Sequence, residues 1–445
     1  YLNAIYMGQN GPYQVRGFGA AAEHYFQKRL ESLKLHECAF LAGLLNSPGR
    51  FSPFKEDSSP GLKRRNRVLR EMFNEGYVTK TEYDTGITFP LPERPPKILS
   101  VTAPYYLDAV QKRLGERNID TSKGLKVFVP MSFYLQEQAN QAVKLGLKDI
   151  TQRFEKVQKG SRSGEPLQAM LMSIDVQTGD IVAVVGGSSY AVSQYNRAIR
   201  SKRQVGSIMK PLVYLAALET LDENGDSYHP MTFLEDKKWT YKYEGQSWSP
   251  NNYDKKFRGP VPLFWALKNS LNVPTAKLGI SVGLSAVIDV ARRLGVTSTL
   301  EPYPSITLGA FEISPMELAH VFLTIANFGR AKPAVLIRHV TDLNDELVFE
   351  VPRVERQQFD PLAIGVLVSM MKQTLESGTA RSARAWGFNK IAAGKTGTTS
   401  DLKDTWFAGF TNDLLTLVWV GFDDNTETGL TGASGALPLW SLYMT

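Results

Sequence analysis

Apolar positions recur at helical spacing through residues 1–89, and the segment reads as helical. One helix is expected to carry Leu35, Cys38, Ala39, Leu41, Ala42 and Leu45 on a broad apolar face. Ser32 is placed to cap it, and Pro48 follows its end. A second helix should run from Pro60, behind a Ser59 cap, through Leu62, Val68, Leu69, Met72 and Phe73 to Gly76. Its polar face shows Lys63, Arg64, Arg65, Arg67 and Arg70, read first as a solvated face and second as a contact for an anionic partner. Pro90, Pro92, Pro95 and Pro96 then favour extended backbone. Residues 90–166 read as a connector with a strand over 126–130 and a helix over 133–147, where Leu135, Ala139 and Val143 keep step.

From residue 167 to 445 the pattern changes. A hairpin is expected from strands over 169–175 and 181–185, around the turn Gln177-Thr178-Gly179-Asp180. Three more strands are expected over 390–395, 405–410 and 414–422, with helical patterns between, for example 207–219 and 315–328. Strands at both ends with helices between them predict an α+β fold, one antiparallel sheet flanked by helices.

Composition narrows the class. A chain of 445 residues exceeds one ordinary core, so two or more units are expected. With 43% hydrophobic and 21% charged residues it is globular, and a net charge of +7 is too mild to indicate nucleic acid. The one cysteine, Cys38, excludes a disulfide framework or a cysteine metal cluster. Five scattered histidines make no local metal motif, so neither a metal nor an organic cofactor is expected. The longest apolar run, 414–422, suits a buried strand and falls short of a membrane span. Tyr1 stands in an amphipathic stretch with no signal peptide, which predicts a chain beginning inside a domain.

Candidate chemistry begins with Pro211, which a helix tolerates only in its first turn. That puts Ser207 at a helix N-terminus and Lys210 three residues on, over the same face. A serine needs a base to become a nucleophile, and a lysine serves once its proton affinity is lowered. Ser-x-x-Lys alone selects nothing, because Ser52, Ser369 and Ser400 also begin one. Ser270-Leu271-Asn272 and Lys395-Thr396-Gly397-Thr398 follow it within one domain, and only Ser207 satisfies that order. Together the three elements are a signature of serine β-lactamases and penicillin-binding proteins.

On these motifs the chain resembles the class A, bifunctional penicillin-binding proteins, closest to their 1b-like branch. Gly206 through Pro211 matches the nucleophile motif. Trp248-Ser249-Pro250-Asn251-Asn252-Tyr253, Leu308-Gly309-Ala310 and Asp404 through Gly409 extend the likeness. Tyr1-Leu2-Asn3, Gly8, Gly17, Ala20 to Ala22, Tyr25-Phe26, Leu41 to Leu44 and Pro48 resemble the late part of a lysozyme-like glycosyltransferase domain. The implied division is the C-terminal part of that domain over 1–89, a connector over 90–166 and a D,D-transpeptidase domain over 167–445. The resemblance places the glycosyltransferase's two catalytic glutamates and the membrane anchor upstream of this sequence. Glu23, Glu31 and Glu37 read as structural residues on helical surfaces.

The resemblance implies acyl transfer on stem peptides ending in D-Ala-D-Ala. In it Ser207 is the nucleophile, Lys210 the general base and Ser270 the proton relay. Asn272 orients the substrate amide and Lys210; Lys395, Thr396 and Thr398 bind the terminal carboxylate, and Gly397 belongs to the same substrate-binding stretch. Backbone N–H groups of Ser207 and Thr398 form the oxyanion hole. β-Lactams are implied as covalent inhibitors and other cell-wall synthesis proteins as possible partners. The implied location is periplasmic or extracytoplasmic, with the parent protein anchored in the membrane. A D,D-carboxypeptidase or other hydrolase and a penicillin-sensing receptor stay open as alternatives. The lack of a Glu-x-x-Leu-Asn stretch between Ser270 and Lys395 argues against rapid deacylation.

Overall fold

A computed structural model describes residues 2, 5–10, 13–55, 57–93, 102–121, 124–162, 166–399 and 401–445. Tyr1, Asn3, Pro95, Pro96 and Ser400, named above, lie outside the described residues. The chain divides into two compact units, Tyr1–Pro104 and Tyr105–Thr445.

The first unit opens on a hairpin where a helix was expected. Strand β1 (Tyr6–Asn10) pairs antiparallel with β2 (Tyr13–Arg16). Gly8 at φ +143° suits no helix, and the Gly11-Pro12 pair in the sequence is a turn signal that interrupts the apolar period. Helices α1 (Phe18–Phe26), α2 (Leu35–Leu44) and α3 (Ser59–Asn74) follow. Met7, Val15, Ala21, Ala22, Tyr25, Phe40, Leu41 and Leu44 form a core, and the Tyr25 hydroxyl donates to Met7 O at 2.9 Å.

Three expectations need correction here. Ser32 lies in a 3₁₀ turn (Leu30–Ser32) and does not cap α2. Instead Glu37 reaches back to accept the Lys34 N–H at 2.8 Å and pairs with Lys28 at 2.7 Å. Glu37 is structural as expected, but buried. Burial raises its pKa, yet the hydrogen bonds from Lys28 and Lys34 outweigh that and hold it below the ordinary value. Arg65 is also buried, donating to Phe89 O at 2.5 Å and Ile87 O at 3.1 Å, so it leaves the solvated face of α3.

In the second unit, β3 (Gln168–Asp175) and β4 (Ile181–Val185) form the expected hairpin. β5 (Ala393–Thr398), β6 (Asp404–Phe410) and β7 (Leu414–Gly421) complete one sheet in the order β5-β6-β7-β3-β4. Every neighbouring pair is antiparallel. Helices α4 (Phe133–Arg153) and α9 (Ala436–Met444) pack on each other and on the sheet. Between the two ends of the sheet lie α5 (Lys210–Leu218), α6 (Asn272–Val282), α7 (Pro315–Ala326) and α8 (Pro361–Glu376). Residues Lys210 to Ala217 of α5 are buried without exception, the mark of a helix inside a core.

Two boundaries differ from the sequence reading, and both concern the motifs. The strand expected to end at Lys395 runs on to Thr398, because pairing with β6 carries the glycines that propensity disfavours. The helix expected over 207–219 begins as a 3₁₀ turn, Gly206–Met209, before α5 takes over at Lys210.

Candidate active site

Three backbone segments meet at Gly206. Its φ is +58°, and its N–H donates to Gly309 O at 3.0 Å. A Cβ at Gly206 would stand 2.4 Å from Thr398 O, so only glycine admits this approach. Ser207 follows, half-buried, in the 3₁₀ turn. Residues i and i+3 eclipse in such a turn, so Ser207 and Lys210 share one face. Pro211 sits in the first turn of α5, where no internal bond is lost. The Ser207 hydroxyl makes no hydrogen bond among the described residues.

Strand β5 supplies the second wall. The Thr399 N–H donates to Asp404 O at 3.2 Å. Antiparallel bonds alternate, so the N–H and C=O of Thr396 and Thr398 turn away from β6 toward the free edge of the sheet. Gly394 O, in the same phase, accepts from Thr374 of α8 at 2.7 Å. The Thr398 N–H therefore points out beside Gly206 and Ser207, where the oxyanion hole was expected.

Two lysines are fully buried between these walls. Lys210 Nζ lies 2.6 Å from Ser270 O, 3.1 Å from Leu271 O, 2.7 Å from Asn272 Oδ1 and 3.3 Å from Ser270 Oγ. Lys395 Nζ donates to the same Ser270 Oγ at 2.9 Å and to Thr396 O at 2.9 Å. One hydroxyl thus faces both amines. Burial, then the charge of Lys395, pushes Lys210 well below the ordinary lysine range. Its carbonyl acceptors pull the other way by favouring the ammonium. Burial alone brings Lys395 down to about 7.

The loop bearing Ser270 has its own geometry. Ser270 holds φ +55°, a conformation rare for serine. It ends the helix Leu263–Lys268: the Ser270 N–H bonds Leu267 O at 3.0 Å and the Leu271 N–H bonds Ala266 O at 2.9 Å. Those two bonds make a Schellman motif, whose left-handed position normally belongs to glycine.

The structure brings Ser207, Lys210, Ser270, Asn272, Lys395 and the Thr396-Gly397-Thr398 backbone into one site. The threonine hydroxyls are already engaged: Thr396 with Thr379 at 2.8 Å, Thr398 as acceptor of the Gly432 N–H at 2.9 Å. Sequence reasoning gave no role to Thr379 or to Asn252, whose Oδ1 accepts the Asn272 N–H at 2.9 Å. Thr379 stands in no recognisable pattern. Asn252 lay within the Trp248–Tyr253 stretch already noted, without a stated role.

Residues 169–436 match the penicillin-binding protein transpeptidase domain, and residues 1–73 match the transglycosylase family. Penicillin-binding protein 1B of Vibrio cholerae is 36% identical over 450 residues, covering all of this chain and 56% of that protein. The chain thus spans little more than half the length of that relative. In fold it is similar to the crystal structure of penicillin-binding protein 1A from Haemophilus influenzae, with a TM-score of 0.75 at 24% identity, covering 100% of this chain and 84% of that one. It is also similar to PonA1 of Mycobacterium tuberculosis in complex with penicillin V, with a TM-score of 0.61 at 22% identity, covering 77% and 92%. The three motifs in their order, the site they build and the family matches in both units lead to one conclusion: this chain belongs to the class A penicillin-binding proteins.

Proposed function

We propose that the second unit is a serine D,D-transpeptidase that cross-links stem peptides ending in D-Ala-D-Ala. The observation that carries this reading is the buried amine of Lys210, three residues along the chain from Ser207 and hydrogen-bonded to Ser270 and Asn272. In the first half-reaction neutral Lys210 takes the Ser207 proton while Oγ attacks the penultimate carbonyl. The oxyanion lies between the N–H groups of Ser207 and Thr398. As the peptide C–N bond breaks, the departing D-alanine amine takes a proton through Ser270. Lys395, Thr396 and Thr398 hold the substrate's terminal carboxylate, and Asn272 orients the substrate amide. Gly397 lets their strand close on Val205 and Ile208, where a Cβ would stand 3.0 Å from Val205 O. In the second half-reaction an amine from a neighbouring stem peptide attacks the acyl-enzyme, forms the new amide and releases Ser207.

A β-lactam enters the same first step and stays bound as an acyl-enzyme. The parent protein also polymerises glycan strands, through a glycosyltransferase domain to which residues 1–73 contribute. It works at the periplasmic or extracytoplasmic face, anchored in the membrane, alongside other cell-wall synthesis proteins. Among the described residues no single helix is long and apolar enough to cross a membrane.

The test combines labelling with product analysis. A fluorescent penicillin labels the wild-type chain at one per molecule, and Ser207→Ala abolishes the labelling. Given a donor stem peptide and an amine acceptor, the wild type yields cross-linked product. Full labelling of Ser207→Ala removes Ser207 as nucleophile, and release of only hydrolysed donor and free D-alanine makes the domain a carboxypeptidase.

A further inference from the structure

Asn252 stands outside the three catalytic motifs, yet every polar valence of its side chain is used. Oδ1 accepts the N–H groups of Asn272 at 2.9 Å and Val273 at 3.1 Å. Nδ2 donates to Asp236 Oδ1 at 2.7 Å and Lys256 O at 2.8 Å. An amide has two donors and two acceptor sites, so this one is saturated. It is only 3% exposed. Asp236 opposite is inaccessible, and its other oxygen accepts the Arg258 N–H at 3.1 Å. A carboxylate accepts and does not donate. Asp236 therefore fixes which end of the amide turns toward α6.

That contact falls where α6 needs one. The first N–H groups of a helix lack internal partners, and α6 has no side-chain cap from its own N-cap residue, Leu271. Asn252 supplies the missing acceptor from a distant segment. Beside it, Asn251 O accepts Asn272 Nδ2 at 2.8 Å, which leaves Asn272 Oδ1 facing Lys210 Nζ at 2.7 Å. The helix start is gripped by its backbone through Asn252 and by its side chain through Asn251.

We propose that Asn252, oriented by Asp236, is a positioning residue for acyl transfer, holding the first turn of α6 so that Asn272 meets Lys210. It touches no substrate and acts through Asn272. The inference rests on the reading of Ser207 as nucleophile and Lys210 as base.

The experiment measures the second-order rate of acylation by a fluorescent penicillin in the full chain. Asn252→Ala is expected to slow it on the order of a hundredfold, the scale set by an ångström of misplacement in a catalytic group. In an Asn272→Ala background the same change should cost little more, because both act through one contact. The pair Asn252→Asp with Asp236→Asn should recover a measurable part of the rate that Asn252→Asp alone loses. The swap restores a donor–acceptor pair between the two residues and leaves an oxygen for the α6 N–H groups, while Lys256 O loses its donor. A wild-type rate in Asn252→Ala, or full additivity with Asn272→Ala, overturns the proposal. Should Asn252→Ala fail to fold, the swap decides alone: a swap as slow as Asn252→Asp sinks the idea. Full labelling of Ser207→Ala would instead break the underlying reading, so the two failures are distinguishable.

Discussion

Lys210 and Lys395 are both inaccessible, and a buried ammonium costs several kcal/mol unless its donors are met or its proton is shed. The site does some of each. Lys210 finds three carbonyl-type acceptors, whereas Lys395 has the Ser270 hydroxyl and the Thr396 carbonyl. For Lys395 the pKa drops from 10.5 to about 7 on folding. Between those values the unfolded chain holds a proton that the folded chain has released, so stability rises with pH over that window. Below about 7 both states are charged and the full burial penalty remains. Lys395→Met should therefore be more stable than the wild type at about pH 6, with the difference shrinking toward about pH 10. Urea denaturation across that range checks it. A constant gap would mean that Lys395 keeps an ordinary pKa. The variant should also lose acylation, the usual exchange of function for stability at a strained site.

Strain of another kind sits at the end of the helix Leu263–Lys268. Ser270 occupies the left-handed position of its Schellman motif at φ +55°, at a cost of about 1 kcal/mol relative to glycine. Local backbone preference asks for glycine, while the two lysine amines that face Oγ ask for a hydroxyl. Chemistry prevails over propensity at this position. Ser270→Gly and Ser270→Ala both remove the hydroxyl and both should lose acylation. Only glycine relieves the backbone, so Ser270→Gly should exceed Ser270→Ala in unfolding free energy by about 1 kcal/mol. Equal stabilities would show that the loop relaxes once the side chain is gone.

The same conflict explains what could be read from residue order. The order of Ser207, Ser270 and Lys395 was visible because each motif is short and local. The hairpin of β3 and β4 was visible from apolar runs around Gln177-Thr178-Gly179-Asp180. Hidden were features set by distant partners: β5 continuing through Gly397 on the strength of β6, and Arg65 turning inward to the carbonyls of Ile87 and Phe89. Thr379 and Asn252 were missed for the same reason, since their partners lie 17 and 20 residues away.

At the scale of the molecule, the residues between the first unit and β3 belong structurally to the second. Gln136 of α4 caps the opposite edge of the sheet, at β4, donating to Val184 O at 3.0 Å and accepting the Val184 N–H at 2.9 Å. An exposed edge strand invites wrong pairing, and this amide occupies β4 as a neighbouring strand would. The buried hydroxyl of Tyr106 donates to Ile181 O at 2.8 Å, and Asn196 Nδ2 donates to Tyr105 O at 2.7 Å. A short strand, Lys126–Phe128, pairs with His339–Thr341. The match to the transpeptidase domain begins at residue 169, inside β3, so it omits all of these partners. A chain of residues 105–445 should therefore unfold cooperatively and label with fluorescent penicillin like the parent. A chain of 167–445 keeps every residue proposed for catalysis but leaves the β4 edge and several buried carbonyls without partners. It is expected to aggregate or to label at a small fraction of the parent's level. Equal labelling of the two would show that α4 and its neighbours decorate the sheet without supporting it.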